Sequence, residues 1–203
     1  MTGKSLVVIT SERIEQEQAT ALLLALMMRS RETGEHAERT ARIATRIGRE
    51  MKLVDEQLRA VSYGALLHDI GKLAVPDVIL HKCEMPTDAE WKVLREHPWR
   101  GANLISTLGF PENICAAVGQ HHERCNGTGY PRGLSGVQIT LEARVVAVAD
   151  AFDCITQARC YKRGESYEVA LSEIVGGVGL CFDPAVVDAF IRIPKEELLT
   201  PIH

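Results

Sequence analysis

Apolar residues recur at helical spacing along almost the whole chain. Leu22, Leu23, Leu26 and Met27 mark one face of a first helix, and Ala37, Ala41, Ala44 and Ile47 continue the pattern in a second, with small residues that permit close packing. A third helix is predicted over residues 55–67, stopped near Gly71, and Val75-Pro76 opposes any helical continuation. Thr87-Asp88-Ala89-Glu90 has the form of a capping box opening a helix through Trp91 and Leu94 on to Ile105. Further helices are predicted over residues 112–121, 142–157, 166–175 and 184–190, and the one extended candidate is 6–10. Residues 127–136 hold four glycines and a proline and are predicted to be a loop. The expectation is an all-α protein, residues 1–31 forming a leader with the first helix and 32–203 the main domain.

Composition narrows the class. A chain of 203 residues with 46% apolar content can bury one sizeable core. The net charge of -4, with no basic run, gives no attraction to nucleic acid. The apolar stretch from Ala19 to Met28 is too short to span a bilayer, which needs about 20 residues, and the polar segment from Ser11 to Gln18 is unlike a signal peptide. A cytoplasmic protein without membrane insertion is expected. Six cysteines without a CxxC pair read as scattered thiols.

The histidines change the picture, since six of the seven fall between His36 and His122. Glu32 and His36 are four apart and would share a helix face. His68-Asp69 follows the apolar run Ala65-Leu66-Leu67, where both groups would be costly to bury without partners. A divalent metal satisfies both; a helix-terminal pair satisfied by hydrogen bonds is the other reading. His97 precedes Pro98, His121-His122-Glu123 ends an apolar helical stretch, and Asp150 ends the run from Arg144. Imidazole with carboxylate suits iron, manganese or zinc in five- or six-coordinate sites, and seven candidate ligands fit two or three ions.

Taken in order, these motifs resemble the HD-GYP family of metal-dependent phosphodiesterases. The resemblance runs from about Glu32 to Phe190. It rests on His68-Asp69-Ile70-Gly71-Lys72, His97-Pro98, His121-His122-Glu123-Arg124 and Gly129-Tyr130-Pro131, then on Asp150-Ala151-Phe152-Asp153, on Arg159 with Tyr161-Lys162, and on Phe182-Asp183-Pro184. It implies an HD-domain helical bundle with a buried multinuclear metal centre, residues 32–203 being the catalytic domain. Its ligands would be His36, His68, Asp69, His97, His121, His122 and Asp150, with Glu32 as the extra carboxylate of three-metal members. The expected ions are two or three, iron or manganese first, with zinc, nickel or magnesium as other candidates.

The implied substrate is cyclic di-GMP, hydrolysed to pGpG, with GMP from a second cleavage, by a hydroxide bridging two ions. Asp69 would bridge the ions and Lys72 would neutralise charge or orient the attacking group. Arg159, Lys162 and Tyr130 would contact substrate, and the loop carrying Tyr130 would also meet a GGDEF-type cyclase partner. Rival readings are another cyclic dinucleotide or nucleotide as substrate, and a catalytically silent nucleotide-binding effector. Cys125-Asn126 stands where members have Trp-Asp, and Cys160 where they have proline. No sensory domain is expected ahead of Glu32, and the first helix is a candidate homodimer contact.

Overall fold

The computed structural model describes residues 11–158 and 163–199. The candidate strand at 6–10 and the residues Arg159, Cys160 and Lys162 lie outside them. The described residues fold as helices: α1 Ser11–Arg29, α2 Arg31–Glu50, α3 Asp55–Leu67, α4 Asp77–Leu80, α5 Asp88–Leu94, α6 His97–Thr107, α7 Glu112–Gln120, α8 Leu141–Thr156, α9 Tyr167–Gly176, α10 Pro184–Arg192 and α11 Lys195–Leu198. Two 3₁₀ turns, Ile70–Ala74 and Gly136–Gln138, join them, and no sheet is present among the described residues.

The apolar periodicity marks the buried faces. On α1, Leu23 and Leu26 are buried while Leu24 and Met28 are exposed. On α2, Ala37, Ala41, Ala44 and Ile47 are buried, together with His36. Helix α3 is the hinge of the architecture because it packs on both sides. Val61 and Ala65 join a core with α2, α8, α9 and α10, whereas Ala60 and Leu67 join a second core with α1, α6 and α7. Its C-terminus therefore delivers residues 68–72 to the meeting point of the two cores.

One predicted element is corrected. The helix expected from Asp88 to Ile105 is broken into α5 and α6 at Arg95-Glu96. Pro98 has no amide to donate to the Leu94 carbonyl, so the ladder cannot continue. His97 Nδ1 donates to that carbonyl instead, at 2.6 Å, which turns the ring toward the protein interior. The capping box itself is present, with the Thr87 hydroxyl accepting from the Glu90 amide.

The turn after Asp69 is packed against the start of α6. A Cβ on Gly71 would overlap the His97 carbonyl oxygen and come within 2.6 Å of the Gly101 amide nitrogen. Both obstacles are backbone, so neither can rotate away. Gly71→Ala is expected to cost about 3 kcal/mol in a urea denaturation experiment.

Candidate metal centre

Helix ends build the site. His68, His97 and His121 each follow or close a helical turn whose last carbonyls have no amide partner. Each ring satisfies one of them: Nδ1 lies 2.7 Å from Ala65 O for His68, 2.6 Å from Leu94 O for His97, and 2.7 Å from Val118 O for His121. A carbonyl only accepts, so Nδ1 carries the proton and Nε2 presents its lone pair to the interior. His97 Nε2 and His121 Nε2 then face one another at 3.2 Å, and His68 Nε2 faces His36 Nε2 at 3.2 Å. In the first pair two bare lone pairs that close repel, and a shared cation removes the repulsion.

His36 reaches the same place from the second turn of α2, and its Nδ1 is held 2.7 Å from Asp153 Oδ2. Arg39, one turn further along α2, clamps that carboxylate from behind, Nε to Oδ1 at 2.7 Å and Nη2 to Oδ2 at 3.0 Å. The result is an ordered relay from guanidinium to carboxylate to imidazole, the kind of support that orients a metal-binding histidine. Asp153→Asn is expected to lower metal affinity by about 10–100-fold, and Arg39→Ala by less in the same direction. Competition with a chromogenic chelator would measure both.

The carboxylates divide their oxygens between neighbours. Asp69 Oδ1 is 3.2 Å from His97 Nε2, while Oδ2 is 3.5 Å from His68 Nε2 and 3.9 Å from His36 Nε2. Lys72 Nζ rests on the same Oδ2 at 2.6 Å. Asp150 Oδ1 lies 3.1 Å from His36 Nε2, and Oδ2 lies 4.0 Å from His122 Nδ1. Three sets of potential ligand atoms lie mutually within 4.8 Å: His97, His121 and His122; His36, His68 and Asp69; and His36, Asp150 and Cys154.

The charge states suit a cation. Burial opposes ionisation of Asp69 and Asp150, yet Lys72 with His68 and His97 in one case, and His36 with His68 in the other, hold both well below the usual carboxylate range. Burial pulls His68 and His121 down, and it takes His122 to about 3 with the help of His97. His36 is the exception: hydrogen bonds to Asp150 and Asp153 outweigh its burial and raise it to about 9. His68, His121 and His122 thus offer neutral imidazoles and Asp69 and Asp150 ionised carboxylates, the donor forms a divalent ion requires, while His36 must first give up a proton.

Seven of the eight ligands expected from sequence lie in this cluster: His36, His68, Asp69, His97, His121, His122 and Asp150. Glu32 belongs to none of the three sets and is exposed, at the mouth of a small cleft it shares with Thr33, His36, Asp69 and Lys72. Tyr130 stacks beside His122 with ring centroids 4.8 Å apart. Buried Glu123 holds the Tyr130 loop by accepting from the Arg132 and Leu134 amides, at 2.7 and 3.0 Å. The Asn126 backbone amide donates to Leu180 O at 2.9 Å, and its side-chain oxygen accepts from the Thr128 amide at 3.0 Å. Asp153, Arg39 and Cys154 were missed as site residues. The signal was available for two of them, because Asp153 and Cys154 stand three and four residues after Asp150 and share its helical face.

An all-helical bundle that gathers histidines and aspartates from helices and the turns that end them into one cluster defines a class of protein with a candidate multinuclear metal centre. The HD domain family matches residues 22–186, and this chain belongs to that family, among proteins related to the HD-GYP group. It is 39% identical over 186 residues to the cyclic di-GMP phosphodiesterase response regulator RpfG of Xanthomonas campestris pv. campestris, covering 89% of this chain and 48% of that protein. It is 34% identical to a 3'3'-cGAMP-specific phosphodiesterase of Vibrio cholerae, covering 88% of this chain and 42% of the other. A solved cyclic GMP-AMP-specific phosphodiesterase of V. cholerae shares the fold with a TM-score of 0.65 at 23% identity, covering 87% of this chain and 47% of that one. The chain spans about half the length of the curated relatives it matches. No helix among the described residues is long and apolar enough to cross a membrane.

Proposed function

We propose that residues 32–203 form a metal-dependent phosphodiesterase domain that hydrolyses cyclic dinucleotides, with cyclic di-GMP as the substrate. The observation that carries this reading is the division of Asp69, one oxygen toward the His97 group and the other toward the His36 and His68 group. A carboxylate so placed can serve two cations at once. Divalent ions held there would neutralise the phosphodiester and lower the pKa of a water for attack. Iron or manganese suits the imidazole and carboxylate donors, with zinc as the next candidate.

The protein's own residues supply binding and orientation. Lys72, already against Asp69, adds a positive charge at the rim where phosphate oxygens would approach. Tyr130, whose hydroxyl is kept protonated by burial and by Asp150 and Asp69, offers a flat face beside His122. The Arg95 guanidinium lies 5.5 Å from the Tyr130 ring centroid and 5.9 Å from that of Trp91. Together they form a surface on which a nucleobase would stack. Arg159 and Lys162 are assigned to the substrate by the family resemblance alone.

Relatives of comparable similarity carry the names of cyclic di-GMP and cGAMP enzymes, so both nucleotides belong in one test. The chain is loaded with ferrous iron or manganese without oxygen, bound metal is quantified, and each nucleotide is supplied in parallel. Faster release of pGpG from cyclic di-GMP is the expected outcome. Preference for cGAMP would reassign the substrate, and a fully metallated chain that binds nucleotide without cleaving it would make it an effector.

A further inference from the structure

We propose that Cys154 is a thiolate ligand of one metal position in this chain, completing the donor set that His36 and Asp150 begin. The inference rests on the metal-centre reading above and adds to it a donor of a different chemical kind. Cys154 stands one helical turn after Asp150 on α8, so the two side chains lie on one face. Its sulfur is 3.2 Å from Asp150 Oδ1, and the same oxygen is 3.1 Å from His36 Nε2. Donor atoms bound at about 2.0–2.3 Å to a single ion sit about 3.0–3.5 Å apart. Both spacings fall in that interval, and the three donor atoms lie within 4.8 Å of one another.

Position as well as distance favours the thiol. Glu32, the carboxylate expected at this end of the cluster, belongs to none of the tight ligand sets. His36 and Asp150 are buried, and the half-buried Cys154 stands on their shared side as a third donor. Cys83, Cys115, Cys125 and Cys181 belong to no such set among the described residues. On metal binding the thiol gives its proton to solvent and the sulfur takes the ion in its place. A thiolate moves the preference of this position toward zinc and other thiophilic ions and away from magnesium and manganese.

The test is optical. The full chain, stripped of metal and kept reduced, is loaded with cobalt(II) without oxygen, and absorption is recorded with the bound cobalt counted. A near-ultraviolet sulfur-to-cobalt charge-transfer band is expected in the unaltered chain. It should vanish in both Cys154→Ala and Cys154→Ser, while the cobalt held by the His97, His121 and His122 set, which shares no ligand with Cys154, remains. Zinc affinity at the altered position should fall at least about tenfold, and manganese affinity by less. Cobalt bound without a sulfur band, a band that survives both substitutions, or loss of all cobalt in both variants would each overturn the assignment. A chain that takes up no cobalt at all would overturn the metal-centre reading as well.

Discussion

Asp69→Asn is expected to reduce cyclic dinucleotide turnover by at least about 10³-fold, about 4 kcal/mol of lost barrier reduction, and to lower bound metal by at least one ion per chain. Asparagine keeps the shape of the side chain but removes its charge and one of its two anionic oxygens. The two halves of the cluster touch through those oxygens, Oδ1 toward His97 and Oδ2 toward His68 and Lys72. The substitution therefore acts on both halves, whereas loss of a single histidine acts on one. The substitution would also remove the carboxylate charge that faces the Lys72 ammonium at 2.6 Å, so less of that positive charge is offset where a cation would sit. Helical circular dichroism should be retained, because Asp69 lies outside α3 and caps no amide. Unchanged metal content with turnover within tenfold of the unaltered chain would remove Asp69 from the centre of the mechanism.

Metal binding and acid-base behaviour should run in opposite directions with pH. In the metal-free chain His36 titrates at about 9, because Asp150 and Asp153 flank its two nitrogens. A histidine raised above its unfolded value of about 6.5 stabilises the fold fully below that value and loses the contribution as pH rises through 9. The contribution is on the order of 3 kcal/mol. The metal-free protein should thus melt at progressively lower temperature between pH 6.5 and 9. Asp69, Asp150 and Asp153 are depressed, so their contribution is complete above the ordinary carboxylate range and is lost on acidification.

An ion needs the His36 lone pair, so it must displace that proton. Its apparent affinity should rise about tenfold per pH unit over the same interval. His68, His121 and His122 are already neutral there and add no further protons. The imidazoles should release one proton, not four, and the Cys154 thiol adds a second where its sulfur takes an ion. Calorimetric titration in buffers of different ionisation enthalpy gives the number released, and differential scanning calorimetry of the metal-free chain gives the melting trend. A flat melting temperature from pH 6.5 to 9 would show that His36 is not held between the two carboxylates.

Much of this was readable before any coordinates. Helical periodicity located the main helices to within a residue or two, because a buried stripe every three to four residues is imposed by one-sided packing. The ligand types were legible too, since histidine and aspartate inside apolar runs need partners, and the motif order carried the family. Long-range pairing was not legible. Arg39 and Asp153 are 114 positions apart, and only the packing of α2 against α8 brings guanidinium to carboxylate and carboxylate to His36. The break before His97 was predictable from Pro98 in principle, but the ring taking over the orphaned Leu94 carbonyl required the folded turn.

The residue order thus specified which segments are helical, which donors exist and roughly where along the chain they fall, because those properties follow from local periodicity and side-chain chemistry. Tertiary packing decided the rest: that three histidines spend Nδ1 on helix-end carbonyls and aim Nε2 inward, that Asp69 faces two groups while Glu32 faces solvent, and that Cys154 lies against Asp150. Distances between donors a hundred residues apart are set by how helices cross, and no local spacing encodes that.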